Sequence, residues 1–242
     1  MNSFQINASF SQKTLAWGVH LFTASGAAWG LLAVVAIQNH EWKAAMLWMV
    51  MAIIVDGVHG WLARWAKVKT YAPEIDGALL DNILDYFNYV LVPGLFLYEA
   101  ELFPTSFALA GIILIALTSA FQFTQTDAKT NDHYFKGFPS YWNVMAIYML
   151  ILRLNPWLNL AIVLFLNILV FVPIKYVYPS RTTRRQNLTL ILTFIWAALG
   201  IISLFQYPRI QPWFIWSSIL YISYYTALSL FPWQKKSVAN SQ

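Results

Sequence analysis

The sequence predicts an all-α fold: a polytopic transmembrane helical bundle of about eight spans, forming one domain over residues 1–242. Three observations lead there. Hydrophobic residues make up 59% of the chain against 10% charged, and mean hydropathy is +0.55, more apolar surface than a soluble fold of this size needs to bury. The apolar residues fall in runs long enough for an α-helix to cross a bilayer, which takes about 20 residues. Threading eight such runs back and forth puts Lys13, Arg64, Lys67, Lys69, Lys129, Lys136, Lys175, Arg181, Arg184, Arg185, Lys235 and Lys236 on one side. Only Lys43, Arg153 and Arg209 fall on the other. That asymmetry is the positive-inside pattern, and it orients both termini toward the cytoplasm.

Taken in order, the first span covers 15–37, where Gly18, Gly26 and Gly30 suit close helix packing. After a turn at 38–41, the second covers 42–62 and carries Asp56 near its far end. The segment from Arg64 to Asp76 either lies at the interface or extends the second helix until Pro73 ends it. The third span, 77–98, holds Asp81 and Asp85 in its first turns, and Glu99 and Glu101 mark its exit. The fourth covers 103–123, and residues 124–140 form the most polar interior loop. The fifth, 141–154, is short for a straight crossing, and Asn155 and Pro156 turn the chain into the sixth, 157–174. A basic connector at 175–187 leads to the seventh span, 188–206, and the eighth, 211–230. A re-entrant short run would reduce the count to six. The 12 Trp and 13 Tyr cluster near span ends, where interfacial anchoring accounts for most of them.

Several function classes drop out. The chain has no Cys, which excludes disulfides, thiol catalysis and cysteine-ligated metals. Its net charge of +5 sits in short segments between apolar runs, so it reads as membrane topology and not as a nucleic-acid surface. The amino-terminal stretch lacks the small-residue cleavage site of a removable signal peptide. No glycine-rich phosphate loop, HExxH or GxSxG element is present.

The chemistry concentrates in residues 56–85, DGVHGWLARWAKVKTYAPEIDGALLDNILD, with Asp56, Asp76, Asp81 and Asp85 in or beside apolar runs. At 3.6 residues per turn Asp56 and His59 share one helix face, and Asp81 and Asp85 share another. Asp56 lies late in its span and Asp81 early in the next, so both pairs fall near the same membrane face. Ion pairing between helices would leave surplus buried negative charge, which is costly without a cation. Hard oxygen ligands favour magnesium or manganese over zinc. Gly57, Gly60, Ala63 and Gly77 remove bulk beside these groups, and Arg64 either grips a phosphate or pairs with Asp56 or Asp76.

This window resembles the signature of the CDP-alcohol phosphotransferases: Asp, two residues, Asp-Gly, two residues, Ala-Arg, and later Gly, three residues, Asp, three residues, Asp. Asp56, Gly60, Ala63, Arg64, Gly77, Asp81 and Asp85 match, while His59 stands where the signature has its second Asp. The twelve residues between Arg64 and Gly77 are similar to the phosphatidylcholine synthase branch. So are HLFTASG at 20–26, DAKT at 127–130, GFPSYWN at 137–143 and FVPIKYVYPSR at 171–181.

The resemblance implies a CDP-alcohol phosphotransferase-like fold in a bacterial inner membrane, with a cytoplasmic active site and a homodimer. It implies transfer of the phosphatidyl group from CDP-diacylglycerol to choline, releasing CMP. Two ions, Mn2+ or Mg2+, would be held by Asp56, Asp81, Asp85 and His59, with Asp85 as the base. His59 offers one neutral nitrogen where a carboxylate offers charge, which bears on metal affinity and on activity. Gly60, Ala63, Arg64 and Gly77 would admit the nucleotide and its phosphates, and Lys129, Lys175 and Arg181 either join them or only enforce topology. A choline ammonium calls for aromatic faces, for which Tyr86, Tyr89, Tyr141, Trp142 and Tyr178 are candidates. Three alternatives stand beside this reading: a different acceptor alcohol, a catalytically weakened lipid-binding homologue, and a transporter built around intramembrane charges. A transporter would need polar groups reaching both faces, whereas these cluster toward one.

Overall fold

The computed structural model describes residues 9–128, 130, 132, 134–179, 182 and 185–230. Lys129 and Arg181, and the tail with Lys235 and Lys236, lie outside the described residues.

α1 (Phe10–Gln38) begins at a capping box: the Ser9 hydroxyl accepts from the Gln12 amide, and the Gln12 side chain accepts from the Ser9 amide. It runs back along α2 (Trp42–Trp65) on small residues, among them Ala16, Gly26, Gly30, Ala33 and Ala36 of α1 and Ala45 and Ala52 of α2. Small side chains let the backbones approach where lipid supplies no hydrophobic drive. α2 does not extend to Pro73: Lys67 adopts φ 48°, the left-handed conformation that closes a helix, six residues before the proline. The one-turn α3 (Val68–Tyr71) follows. Val68, Ala66 and Ala72 pack with Ala16 and Val19 of α1, so the connector is pinned against that helix.

Asp76 caps α4 (Gly77–Tyr86), accepting from the amides of Ala78 and Leu79, both at 3.0 Å. A π-turn (Phe87–Leu91) then joins α4 to α5 (Val92–Glu99). Its cause is in the sequence: Pro93 has no N–H to give the carbonyl four residues back, that of Tyr89, and the Val92 amide reaches to Phe87 instead. α1 accommodates this wider turn with glycine. A Cβ on Gly30 would overlap the Asn88 carboxamide and the Phe87 ring, and one on Gly26 would lie 3.4 Å from Asn88 Nδ2. The Asn88 amide donates to the Gly26 carbonyl at 3.1 Å.

α6 (Thr105–Thr124), β1 (Tyr134–Lys136), α7 (Trp142–Ile151), α8 (Pro156–Phe171), β2 (Lys175–Val177), α9 (Gln186–Gln206) and α10 (Pro212–Leu230) complete the order. The chain divides into two compact units. One comprises Met1–Phe123 with Ser140–Leu164, the other Thr124–Pro139 with Phe165–Gln242. In the first, Trp142 is fully buried and donates its indole N–H to Ser119 at 2.8 Å, and Asn159 donates to the Leu102 carbonyl at 2.9 Å. In the second, β1 and β2 pair antiparallel, with Phe135 opposite Tyr176. The Val177 amide and carbonyl are both taken by α10, through Ser229 and Tyr225. Thr189 and Thr193 of α9 bond the hydroxyls of Tyr224 and Tyr221.

The all-α class holds but for this short two-stranded ribbon; the expectation of eight spans does not. Among the described residues four helices, α1, α2, α6 and α9, are long and apolar enough to cross a membrane, which makes the chain a polytopic membrane protein. The expected third span runs as one helical path over residues 77–99, in which the π-turn separates α-helical stretches of 10 and 8 residues, neither of them of spanning length by itself. α7 and α8 have 10 and 16 residues, because positive φ at Ser140 and Arg153 and the Asn155–Pro156 turn interrupt the apolar run. α10 has 19 residues, but its serines and tyrosines lower its hydropathy.

Replacing Gly30 with Val is expected to destabilise the protein by about 1–3 kcal/mol through overpacking against Phe87 and Asn88. Thermal unfolding in detergent measures this, with Gly18→Ala, where a Cβ meets nothing within 4 Å, as the neutral control.

Candidate metal centre

Two helices carry the charged groups. Asp56 and His59 lie one turn apart on α2, and Asp81 and Asp85 one turn apart on α4, so side chains from both helices enter one cleft. His59 stands between the carboxylates: Nε2 is 3.0 Å from Asp81 Oδ1, and Nδ1 is 3.4 Å from Asp56 Oδ1 and bonds the Asp56 carbonyl. One ligand atom from each of Asp56, His59 and Asp81 lies within 4.8 Å of the others, and all three side chains are partly buried. Asp85 lines the same cleft beside Asn88 and Tyr89, with Thr23 and Gly26 of α1 as a further wall.

The donor set fits a hard divalent cation. Adjacent ligands around an ion bound at about 2.1 Å lie roughly 3 Å apart, which is the His59–Asp81 separation. The proton count agrees. Both ring nitrogens of His59 face oxygen acceptors, yet a neutral imidazole has one N–H to give. The cluster therefore has a place for one positive charge, either a second ring proton or a cation that takes the carboxylates and Nε2 as ligands. Among the described residues the structure gathers one such group of ligands, Asp56, His59 and Asp81.

The other sequence-derived candidates are placed differently. Gly60 lies beneath the Arg64 guanidinium, whose Nη1 would be 3.5 Å from a Cβ there. Among the described residues Arg64 forms no ion pair with Asp56, and Asp76 uses its carboxylate as the α4 cap. Ala63 packs against the α1–α3 core, and Gly77 faces His20, whose Cε1 would be 3.3 Å from a Cβ. Tyr86 donates to the Ala116 carbonyl and packs edge-on to Phe123. Trp142 is buried on Ser119. Tyr178 stacks on Phe135 at 4.5 Å, and Lys175 pairs with Asp132 at 2.6 Å, 5.9 Å from the Tyr134 ring centre. The Lys175 ammonium holds the Asp132 carboxyl below its ordinary value, as Lys136 does for Asp127.

Of the five aromatic candidates, Tyr89 and Tyr141 come together, with ring centres 6.1 Å apart. The Tyr89 hydroxyl donates to Asp56 Oδ2 at 2.6 Å. Sequence reasoning missed this bond, and it missed the part of HLFTASG, through Thr23 and Gly26, that lines the cleft. The readable signal was Pro93, whose missing N–H marks an interruption of the helix at Tyr89.

Residues 20–224 match the model of the CDP-alcohol phosphatidyltransferase family. The chain is 43% identical over 192 residues to a phosphatidylcholine synthase of Borreliella burgdorferi, covering 79% of this chain and 82% of that one. It is 39% identical over 238 residues to a phosphatidylcholine synthase of Legionella pneumophila, covering 96% and 93%. A phosphatidylcholine synthase of Pseudomonas aeruginosa is 40% identical over 200 residues, covering 83% and 84%.

Asp56→Asn and Asp81→Asn are each expected to weaken Mn2+ binding to the purified protein about 100-fold, because site affinity follows the number of charged ligands. Calorimetric titration without substrate measures it, and Lys175→Ala is expected to leave the affinity unchanged.

Proposed function

The chain belongs to the CDP-alcohol phosphatidyltransferase family, and we propose that within it this protein transfers the phosphatidyl group of CDP-diacylglycerol to choline, giving phosphatidylcholine and CMP. The observation that carries the reading is the convergence of Asp56, His59, Asp81 and Asp85 in one cleft of a membrane bundle. Choline as acceptor is supported by relatives 39–43% identical that are phosphatidylcholine synthases. The enzyme would sit in a bacterial inner membrane as a homodimer, with the cleft on the cytoplasmic side, in keeping with the basic segment Arg64, Lys67 and Lys69 between the Asp56 and Asp81 positions.

Asp56, His59 and Asp81 would hold Mn2+ or Mg2+, with Asp85 completing the set if two ions bind. Bound there, such an ion would supply positive charge against the pyrophosphate and electrophilic activation of the phosphoryl group. The remaining steps belong to the chain. Asp85 takes the proton of the choline hydroxyl as its oxygen bonds the diacylglycerol-linked phosphorus, and the bond from that phosphorus to the CMP oxygen breaks. Arg64, on the last turn of α2, is available to a donor phosphate, since Asp76 is engaged in capping. The surrounding apolar helices limit water, the competing nucleophile.

His59 in place of a carboxylate also favours a second reading, a weakened homologue that retains lipid binding. One assay separates the two: purified protein, CDP-diacylglycerol and labelled choline, with and without Mn2+, following both lipid and CMP. The expected result is coupled, Mn2+-dependent formation of phosphatidylcholine and CMP, with His59→Asp equal or faster and Asp81→Asn inactive. A fully active Asp81→Asn enzyme would sink the metal-site account. Turnover only in His59→Asp would establish the weakened homologue, and CMP release only with another alcohol would replace choline as acceptor.

A further inference from the structure

Tyr89 sits where the helix departs from regular α geometry. In an α-helix residues four apart advance by about 40° around the axis, so a side chain eight residues after Asp81 would have drifted off the cleft face. The i→i+5 bond from Val92 to Phe87 widens the turn and takes up part of that advance, so Tyr89 still lines the cleft with Asp81 and Asp85. Its ring is 8% exposed, and its hydroxyl ends on Asp56 Oδ2 at 2.6 Å. The bond joins a phenol to a carboxylate of the neighbouring helix, a charge-assisted contact that fixes both partners.

The ring is supported in turn. Tyr141 lies against it at 6.1 Å, and the GFPSYWN stretch that carries Tyr141 is firmly seated. Ser140 is fully buried with φ 56°, and Trp142 is fully buried on Ser119. From sequence only Tyr141 and Trp142 of this stretch had a candidate role, as faces for a choline ammonium; in the structure Tyr141 reaches the metal cluster through Tyr89.

We propose that Tyr89 is a positioning residue for the metal centre: its hydroxyl holds the Asp56 carboxylate toward His59 and Asp81, and Tyr141 holds the Tyr89 ring. The assignment rests on the functional reading above, and it moves Tyr89 from the acceptor pocket to the support of the cation ligands. Groups that orient metal ligands from behind typically contribute about 10–100-fold in metal affinity.

The test uses the purified full-length protein and Mn2+ alone, by calorimetry, followed by turnover as a function of Mn2+ and of choline. Tyr89→Phe keeps the ring and removes the hydroxyl. It is expected to raise the Mn2+ dissociation constant about 10–100-fold with little change in thermal midpoint. Excess Mn2+ is expected to restore turnover with the choline KM unchanged. Tyr141→Leu is expected to shift Mn2+ affinity in the same direction by less, and it serves as the variant if Tyr89→Phe does not fold. Unchanged Mn2+ affinity together with a raised choline KM in Tyr89→Phe would overturn the proposal and return Tyr89 to the acceptor. Wild-type protein that binds no Mn2+ would overturn both this inference and the functional reading, whereas wild-type binding that neither variant alters overturns this inference alone.

Discussion

Negative charge held between two apolar helices is the constraint on which the rest of this structure depends. Asp56 on α2 and Asp81 on α4 face each other through the His59 ring, and Asp85 adds a further carboxylate one turn along. In a low-dielectric bundle such groups are tolerated only with hydrogen bonds and compensating positive charge. His59 meets part of that need, with both ring nitrogens on oxygen, and the cluster it forms with Asp56 and Asp81 could hold a divalent cation that would meet the rest.

Holding these groups in register takes much of the surrounding architecture. α3 and its small core with α1 fix how α2 is followed by α4, and the Asp76 cap fixes where α4 begins. Gly26 and Gly30 bring α1 against the π-turn, and Asn88 bonds the Gly26 carbonyl across that contact. The π-turn in turn keeps Tyr89 facing the cleft. Apart from Ala63, which packs against the α1–α3 core, these devices lie outside the signature residues. A signature transplanted without them would carry the ligands but not their geometry.

His59 shows how one substitution redistributes roles. A carboxylate at this position would add charge and need another cation nearby; a neutral imidazole donates with one ring nitrogen and accepts with the other, and it reaches Asp81 from α2 directly. Whether the site tolerates this exchange is a matter of ligand charge, which is why metal affinity and turnover are the informative quantities, and not folding.

By itself the sequence determined the membrane class, the helical content, the family signature and the identity of the clustered carboxylates. Composition, 3.6-residue spacing and basic-residue asymmetry are local or cumulative properties, and they survive without coordinates. The tertiary structure decided how the apolar runs are divided: positive φ at Ser140 and Arg153 breaks runs that hydropathy alone joins together, and the π-turn just before Pro93 widens the helix that carries Asp81 and Asp85. It also decided that Asp76 caps a helix and that Tyr86 and Trp142 bond away from the cleft. The partnership of Tyr89 with Asp56, 33 residues apart, is likewise a product of folding. The reason is physical. Periodicity tells which face of a helix a residue occupies, but the partner opposite that face is set by how helices cross and where their turns widen, and those depend on contacts between residues far apart in the chain.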